Sequence, residues 1–141
     1  MKTEQLNSKC IFCKIIKGDI PCSKIYEDEK TLVFLDIQPV HEGHCLIVPK
    51  EHSENLLETQ DKTLQAMILT SKKVAKAIME ATHADGFNIH INTKRAAGQL
   101  VDHVHFHIIP RFKEDGLKLW EQYPYKEGRI YEIADKIKSL L

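Results

Sequence analysis

The sequence predicts an α+β fold, with a mainly antiparallel sheet of roughly five strands, one long helix and a second helix at the carboxyl end. Three observations predict it. Short apolar runs bounded by turn residues recur in both halves of the chain. A single long segment, Asp61 to Thr82, repeats apolar residues at helical spacing. The resulting order β, β, β, α, β, β, α keeps strands beside strands and lacks the strict alternation of βαβ units.

Each element has its own local reason. Tyr26 to Glu29 is polar and turn-like between Lys24-Ile25 and Thr31–Leu35, which reads as a hairpin. Cys45–Val48 is a short apolar run stopped by Pro49, a third strand. Within Asp61–Thr82, Leu64, Met67, Ile68, Val74, Ala75, Ile78 and Met79 share a stripe opposite Lys72, Lys73, Lys76 and Glu80. His83-Ala84-Asp85-Gly86 is a plausible cap. Phe87–Asn92 alternates apolar and polar residues, and Val101–Ile109 is another strand, ended by Pro110. Phe112–Gly128 is irregular. Ile130, Ile133, Ile137 and Leu140 predict a closing helix over Arg129–Leu141.

Bulk properties narrow the function classes. A chain of 141 residues suits one domain, residues 1–141. Twenty basic residues balance twenty acidic ones, which argues against a general binder of nucleic acid or anionic membrane. A single phosphate pocket built from backbone N–H groups and histidines stays compatible with that balance. No signal peptide or membrane-length apolar run is visible, so a cytoplasmic location is expected. In a reducing compartment the four cysteines are better read as free or metal-bound than as a disulfide framework.

Asp102-His103-Val104-His105-Phe106-His107-Ile108-Ile109-Pro110 carries most of the information. In a strand, His103, His105 and His107 share one face, with roots about 6.6 Å apart, and Val104, Phe106 and Ile108 share the other. Three readings are open: a polar sheet face, a metal site made of all three imidazoles, or covalent catalysis by one of them. Catalysis needs one ring nitrogen free, the other hydrogen-bonded to hold the tautomer, and donors for phosphoryl oxygens. Cys10-Ile11-Phe12-Cys13 is a separate signal. Its C-x2-C spacing suits tetrahedral zinc, although reduced, unligated thiols are the plainer alternative.

Gly98 to Arg111 closely resembles the histidine-triad (HIT) signature, His-φ-His-φ-His-φ-φ with a Gly-Gln lead-in. Ile11–Ile16 with Gly18 and Ile20-Pro21, Phe34–Pro39 and Gly43–Lys50 resemble further segments of that superfamily, in order. The likeness is to bacterial and archaeal nucleotide hydrolases or transferases. It covers about residues 10–112, a core followed by an extension, 113–141.

The resemblance implies roles by position. His105 would attack the α-phosphorus and form a nucleotidyl-histidine intermediate that water hydrolyses. His107, supported by His44, would fix the nucleophile and contact phosphoryl oxygens. Asn92, Gln99 and the amide of Val101 would hold the phosphate or the leaving group. Asp36 would accept hydrogen bonds from the ribose hydroxyls. Phe12, Ile15, Phe34 and Ile37 would form the apolar slot for the base. Taken alone, Asp36 reads as a strand-end cap, and Phe12 and Phe34 as core. Leu100 stands where many relatives carry a small hydroxyl residue, and Asp102 is an unusual acid beside the triad. The resemblance also implies that His52, after the Pro-Lys strand, and the first triad histidine complete the cysteine pair. Cys10, Cys13, His52 and His103 would then hold one structural zinc per chain, with no catalytic metal.

The expected function is cleavage of a nucleoside 5′-phosphoryl bond in a phosphoramidate, dinucleoside polyphosphate or adenylate, with a purine nucleotide as substrate. The resemblance implies a homodimer joined near the long helix and Phe87–Asn92. A nucleotide-binding adaptor and a zinc-stabilised scaffold are the alternatives. His41, His83 and His90 read as surface or turn residues.

Overall fold

The computed structural model describes residues 6–141. It contains an α+β arrangement with helices α1 (Ile11–Lys17), α2 (Asp61–Thr82) and α3 (Arg129–Lys138). The strands are β1 (Lys24–Glu27), β2 (Thr31–Leu35), β3 (Cys45–Pro49), β4 (Gly86–His90) and β5 (Phe106–Arg111). They form one five-stranded sheet in the order β1-β2-β3-β5-β4, and every neighbouring pair is antiparallel.

Both faces of the sheet are covered, which explains why β2 and β3 read as continuous apolar runs. On one face Val33, Cys45, Ile47, Val104, Phe106 and Ile108 pack with Met67, Val74, Ala75 and Ile78 of α2. On the other, Leu32, Phe34, Leu46 and Val48 pack with Cys10, Phe12 and Cys13 around α1. The predicted bounds of α2 coincide with the observed ones. Its left-handed terminus falls on His83 (φ 57), not on Gly86, which opens β4. Among non-glycine residues, histidine is one of the types that enter this region more readily.

Several expectations are corrected. The turn predicted at Tyr26–Glu29 lies later, because Tyr26 and Glu27 pair with Val33 and Leu32. Asp28 makes the turn instead, its carboxylate accepting from the Lys30 and Thr31 amides at 2.8 and 2.7 Å. Helix α1 was not predicted. It is one short amphipathic piece, capped by the Cys10 sulfur, which accepts from the Cys13 amide, and ended by Gly18 at φ 87. The strand expected over Val101–Ile109 begins only at Phe106 and runs through Pro110 to Arg111. Pro110 is tolerated because β3 pairs no further along β5 than Ile108. The C-terminal helix forms but buries no residue against the sheet.

Gly43 shows how the loop before β3 is held. Its φ is +93, and a Cβ there would lie 2.8 Å from the Thr82 methyl. Only glycine lets this turn rest against the end of α2 and lead directly into His44. Among the described residues, no helix is long and apolar enough to cross a membrane.

Candidate active site and metal centre

The residues of the site come from α1, the ends of β2 and β3, the loop after β4 and the segment leading into β5. They line a cavity of about 330 Å³ on the α1 face of the sheet. Phe12, Ile15, Phe34 and Ile37 lie in its apolar wall, joined by Ile11, Ile20, Pro21, Cys22 and Leu46. Asp36, Asn92, His105 and His107 supply the polar wall, and Val101 also lines the cavity. The additional apolar residues escaped the sequence reading because α1 did. Ile11 and Ile15 at i, i+4, with Phe12 beside them, are the signal that could have found them.

Residues 101–105 carry no strand ladder, yet their side chains still alternate. Val104 enters the core beneath α2, while His103 and His105 turn toward Phe12, with ring centroids 5.9 and 5.1 Å away. Backbone bonds replace the missing ladder, since the Val104 amide donates to the Ser53 carbonyl at 2.8 Å. His107 sits in β5 opposite Leu46, with its ring 5.0 Å from that of His105. The three histidines therefore share one side, although only the last is in the sheet.

Hydrogen bonds assign each tautomer. His105 Nδ1 lies 2.7 Å from the His103 carbonyl, which can only accept. The proton is therefore on Nδ1, and Nε2 keeps its lone pair. Burial lowers the His105 pKa and keeps the ring neutral. The Val40 amide donates to His44 Nδ1 at 3.1 Å, so neutral His44 carries its proton on Nε2. That proton is donated to His107 Nδ1 at 2.9 Å, which leaves His107 with an Nε2–H group. Burial, followed by the charge of His105, pushes the His107 pKa down to about 4. One imidazole is thus poised as a nucleophile and its neighbour as a neutral donor.

Asp36 Oδ1 accepts from the Gln38 amide at 2.8 Å, and Oδ2 lies 3.7 Å from His44 Nε2. Asp36 thus caps its own turn and also lines the cavity. Asp36, His44 and His107 also cluster closely enough to hold an ion. The tautomers speak against it, because His44 Nε2 carries the proton that would have to leave.

Gln99 is a correction. It is 2% exposed and does not line the cavity. Its Nε2 donates to the Glu54 and Val101 carbonyls at 2.6 and 3.0 Å, and its Oε1 accepts from the Lys94 amide at 2.8 Å. With its amide used inside the fold, Gln99 ties the 94–101 loop to the segment after β3, and the phosphate role expected of its side chain does not fit. Asp102 faces solvent and pairs with Arg95 at 3.2 Å, and Leu100 is 82% exposed at the cavity wall. His90, which no motif marked, lies opposite His107 in the β4–β5 register, and Trp120 covers it at 6.2 Å.

Cys10, Cys13, His52 and His103 converge, with their donor atoms all within 4.8 Å of one another. The separations are 3.1 Å between the two Nδ1 atoms, 3.3 Å from Cys13 Sγ to His52 Nδ1, and 3.4 and 3.6 Å from His103 Nδ1 to the sulfurs of Cys10 and Cys13. A tetrahedral zinc ion with its usual bonds to nitrogen and sulfur holds its ligand atoms roughly 3.3–3.8 Å apart. His103 Nε2 donates to the Pro49 carbonyl at 2.9 Å, so its Nδ1 presents a lone pair to the thiols. Burial raises the Cys13 thiol to about 11, so without a cation the buried thiolate is disfavoured. The set is compatible with zinc, and four protein ligands leave no open position.

Residues 17–114 match the HIT domain family. The chain is 45% identical over 132 residues to adenosine 5′-monophosphoramidase hnt1 of Schizosaccharomyces pombe, covering 92% of this chain and 96% of that protein. It is 44% identical over 139 residues to adenylylsulfatase HINT3 of Arabidopsis thaliana, covering 99% of this chain and 71% of that one. A zinc-bound histidine triad family protein from Mycobacterium smegmatis superimposes with a TM-score of 0.75 at 40% identity, covering 94% and 97% of the two chains. With the family match spanning most of its length and two histidines of the triad, His105 and His107, lining the cavity, this chain belongs to the HIT domain family.

Proposed function

We propose that this chain, a hydrolase of the HIT family, cleaves nucleoside 5′-phosphoryl bonds through a covalent nucleotide on His105. One observation carries the reading: the 2.7 Å bond from His105 Nδ1–H to the His103 carbonyl leaves Nε2 unprotonated on a ring that lines the cavity. In the first step Nε2 bonds to the α-phosphorus, and the bond to the leaving group breaks, the leaving group taking a proton from solvent. Water then attacks the same phosphorus and gives a proton back to solvent, the N–P bond breaks with its electron pair returning to Nε2, and the 5′-mononucleotide is released. The Nε2–H of His107 donates to a phosphoryl oxygen as charge builds there. The apolar slot takes a purine base and Asp36 takes the ribose hydroxyls. Relatives named for a phosphoramidate and for an adenylylsulfate support adenylates with small leaving groups.

His105→Ala is expected to abolish turnover of adenosine phosphoramidate while AMP still binds. Unchanged hydrolysis by the purified variant would remove His105 as the nucleophile. Parallel assays with diadenosine polyphosphates and adenylylsulfate identify the leaving group.

The cysteine–histidine cluster would hold one structural zinc, whose chemistry is to tie α1, the segment after β3 and the triad segment together. In the same reading the protein is a cytoplasmic homodimer. Exposed Ile68 and Leu69 on α2 and Phe87 on the edge strand β4 support that contact. Sedimentation of the purified chain tests it.

A further inference from the structure

We infer that the metal cluster positions the nucleotide site, so that metal occupancy and nucleotide affinity are thermodynamically linked. The inference rests on the nucleotide and zinc readings above and goes beyond them.

Two connections join the sites. The first is His103. Its ring nitrogen faces the two thiols, and its carbonyl accepts the proton that sets the His105 tautomer. The second is Phe12, which lies between Cys10 and Cys13 in sequence, packs edge-on against both His103 and His105, and lines the cavity. Segment 103–105 precedes the β5 ladder, which begins at Phe106. Besides the Val104 side chain in the core, its polar anchors are the His103 ring on the Pro49 carbonyl, the Val104 amide on the Ser53 carbonyl, and the cluster itself. In a regular strand, ladder bonds would hold the nucleophile whatever the thiols did. Here a cation that draws the four donors together restrains both a wall of the base slot and the carbonyl beneath the nucleophile. Linkage is reciprocal, so AMP must tighten the metal by the factor by which the metal tightens AMP.

The test uses the full chain. Cobalt(II) replaces zinc, and its visible bands are followed while AMP is added. We expect AMP to shift those bands, although the cavity and the cluster share no side chain. In parallel, AMP binding is measured by calorimetry for the zinc-loaded protein and for His52→Ala, which loses one ligand, with far-ultraviolet circular dichroism reporting the fold. We expect binding about tenfold weaker in His52→Ala, within the range usual for coupled sites. His52→Cys, which restores a fourth ligand, is expected to recover it. Cobalt bands indifferent to AMP, or equal AMP affinity in a folded His52→Ala, would overturn the coupling. If His52→Ala does not fold, the cobalt titration decides alone. A metal-loaded protein that binds no AMP overturns the nucleotide reading and the coupling with it. Binding that ignores the metal overturns only the coupling.

Discussion

His44 Nε2 lies 2.9 Å from His107 Nδ1, and this contact decides which nitrogen of His107 faces the cavity. The order of donation begins one step further back, at the Val40 amide, which cannot change its role. His44→Ala should leave His107 free to exchange tautomers. We expect kcat to fall on the order of 10²-fold with KM little changed. A loss confined to KM would show that His44 serves binding instead.

The low pKa of His107 gives the protein an acid limb. Burial, with the charge of His105 adding to it, places His107 at about 4 in the fold, below the roughly 6.5 of an unfolded histidine. Between these values the unfolded chain binds the extra proton and the folded chain does not. Stability from this residue is therefore complete above about pH 6.5 and is lost as pH falls toward 4. Melting temperatures from pH 7.5 to 4.5 should show the decline, and His107→Asn should make it shallower, the remainder coming from His103, whose pKa burial also lowers to about 4. Equal slopes for the two proteins would refute the assignment.

Gly43 should resist substitution. Alanine there must hold φ near +93 and place its Cβ 2.8 Å from the Thr82 methyl. We expect a loss of roughly 1–3 kcal/mol from the backbone conformation and the contact together. Urea denaturation of Gly43→Ala measures it. Restored stability in Gly43→Ala/Thr82→Ser, which lacks that methyl, would assign the loss to the contact.

Asp36 accepts one backbone amide and turns its other oxygen toward the site. Asp36→Asn keeps the shape and removes the charge. AMP binding is expected to weaken about tenfold, the scale of a hydrogen bond to a charged acceptor. If ribose contact is the cause, 2′-deoxy-AMP should show little further loss in the variant. Calorimetry on both nucleotides gives the answer.

Patterns that repeat along the chain were legible without coordinates. The stripe over Asp61–Thr82 marked α2 to the residue, because a long amphipathic helix repeats its apolar face many times. The alternation around the triad placed Val104, Phe106 and Ile108 under α2 and the histidines opposite, and this holds even where the ladder stops at Phe106. Family likeness pointed to Cys10, Cys13, His52 and His103, and the fold brings them together.

What spacing could not reveal depends on partners distant in sequence. Helix α1 is too short to show a period and exists through its caps and its packing on β2 and β3. Gln99 read as a ligand group until the carbonyl of Glu54, 45 residues away, took its amide. The tautomers of His44, His105 and His107 depend on an amide, a carbonyl and another imidazole set at bonding distance by the folded backbone. Residue type and local periodicity act through neighbours along the chain, so the sequence by itself determined the elements and the chemical inventory. Which nitrogen holds a proton is a matter of contact geometry, and only the tertiary structure decided it.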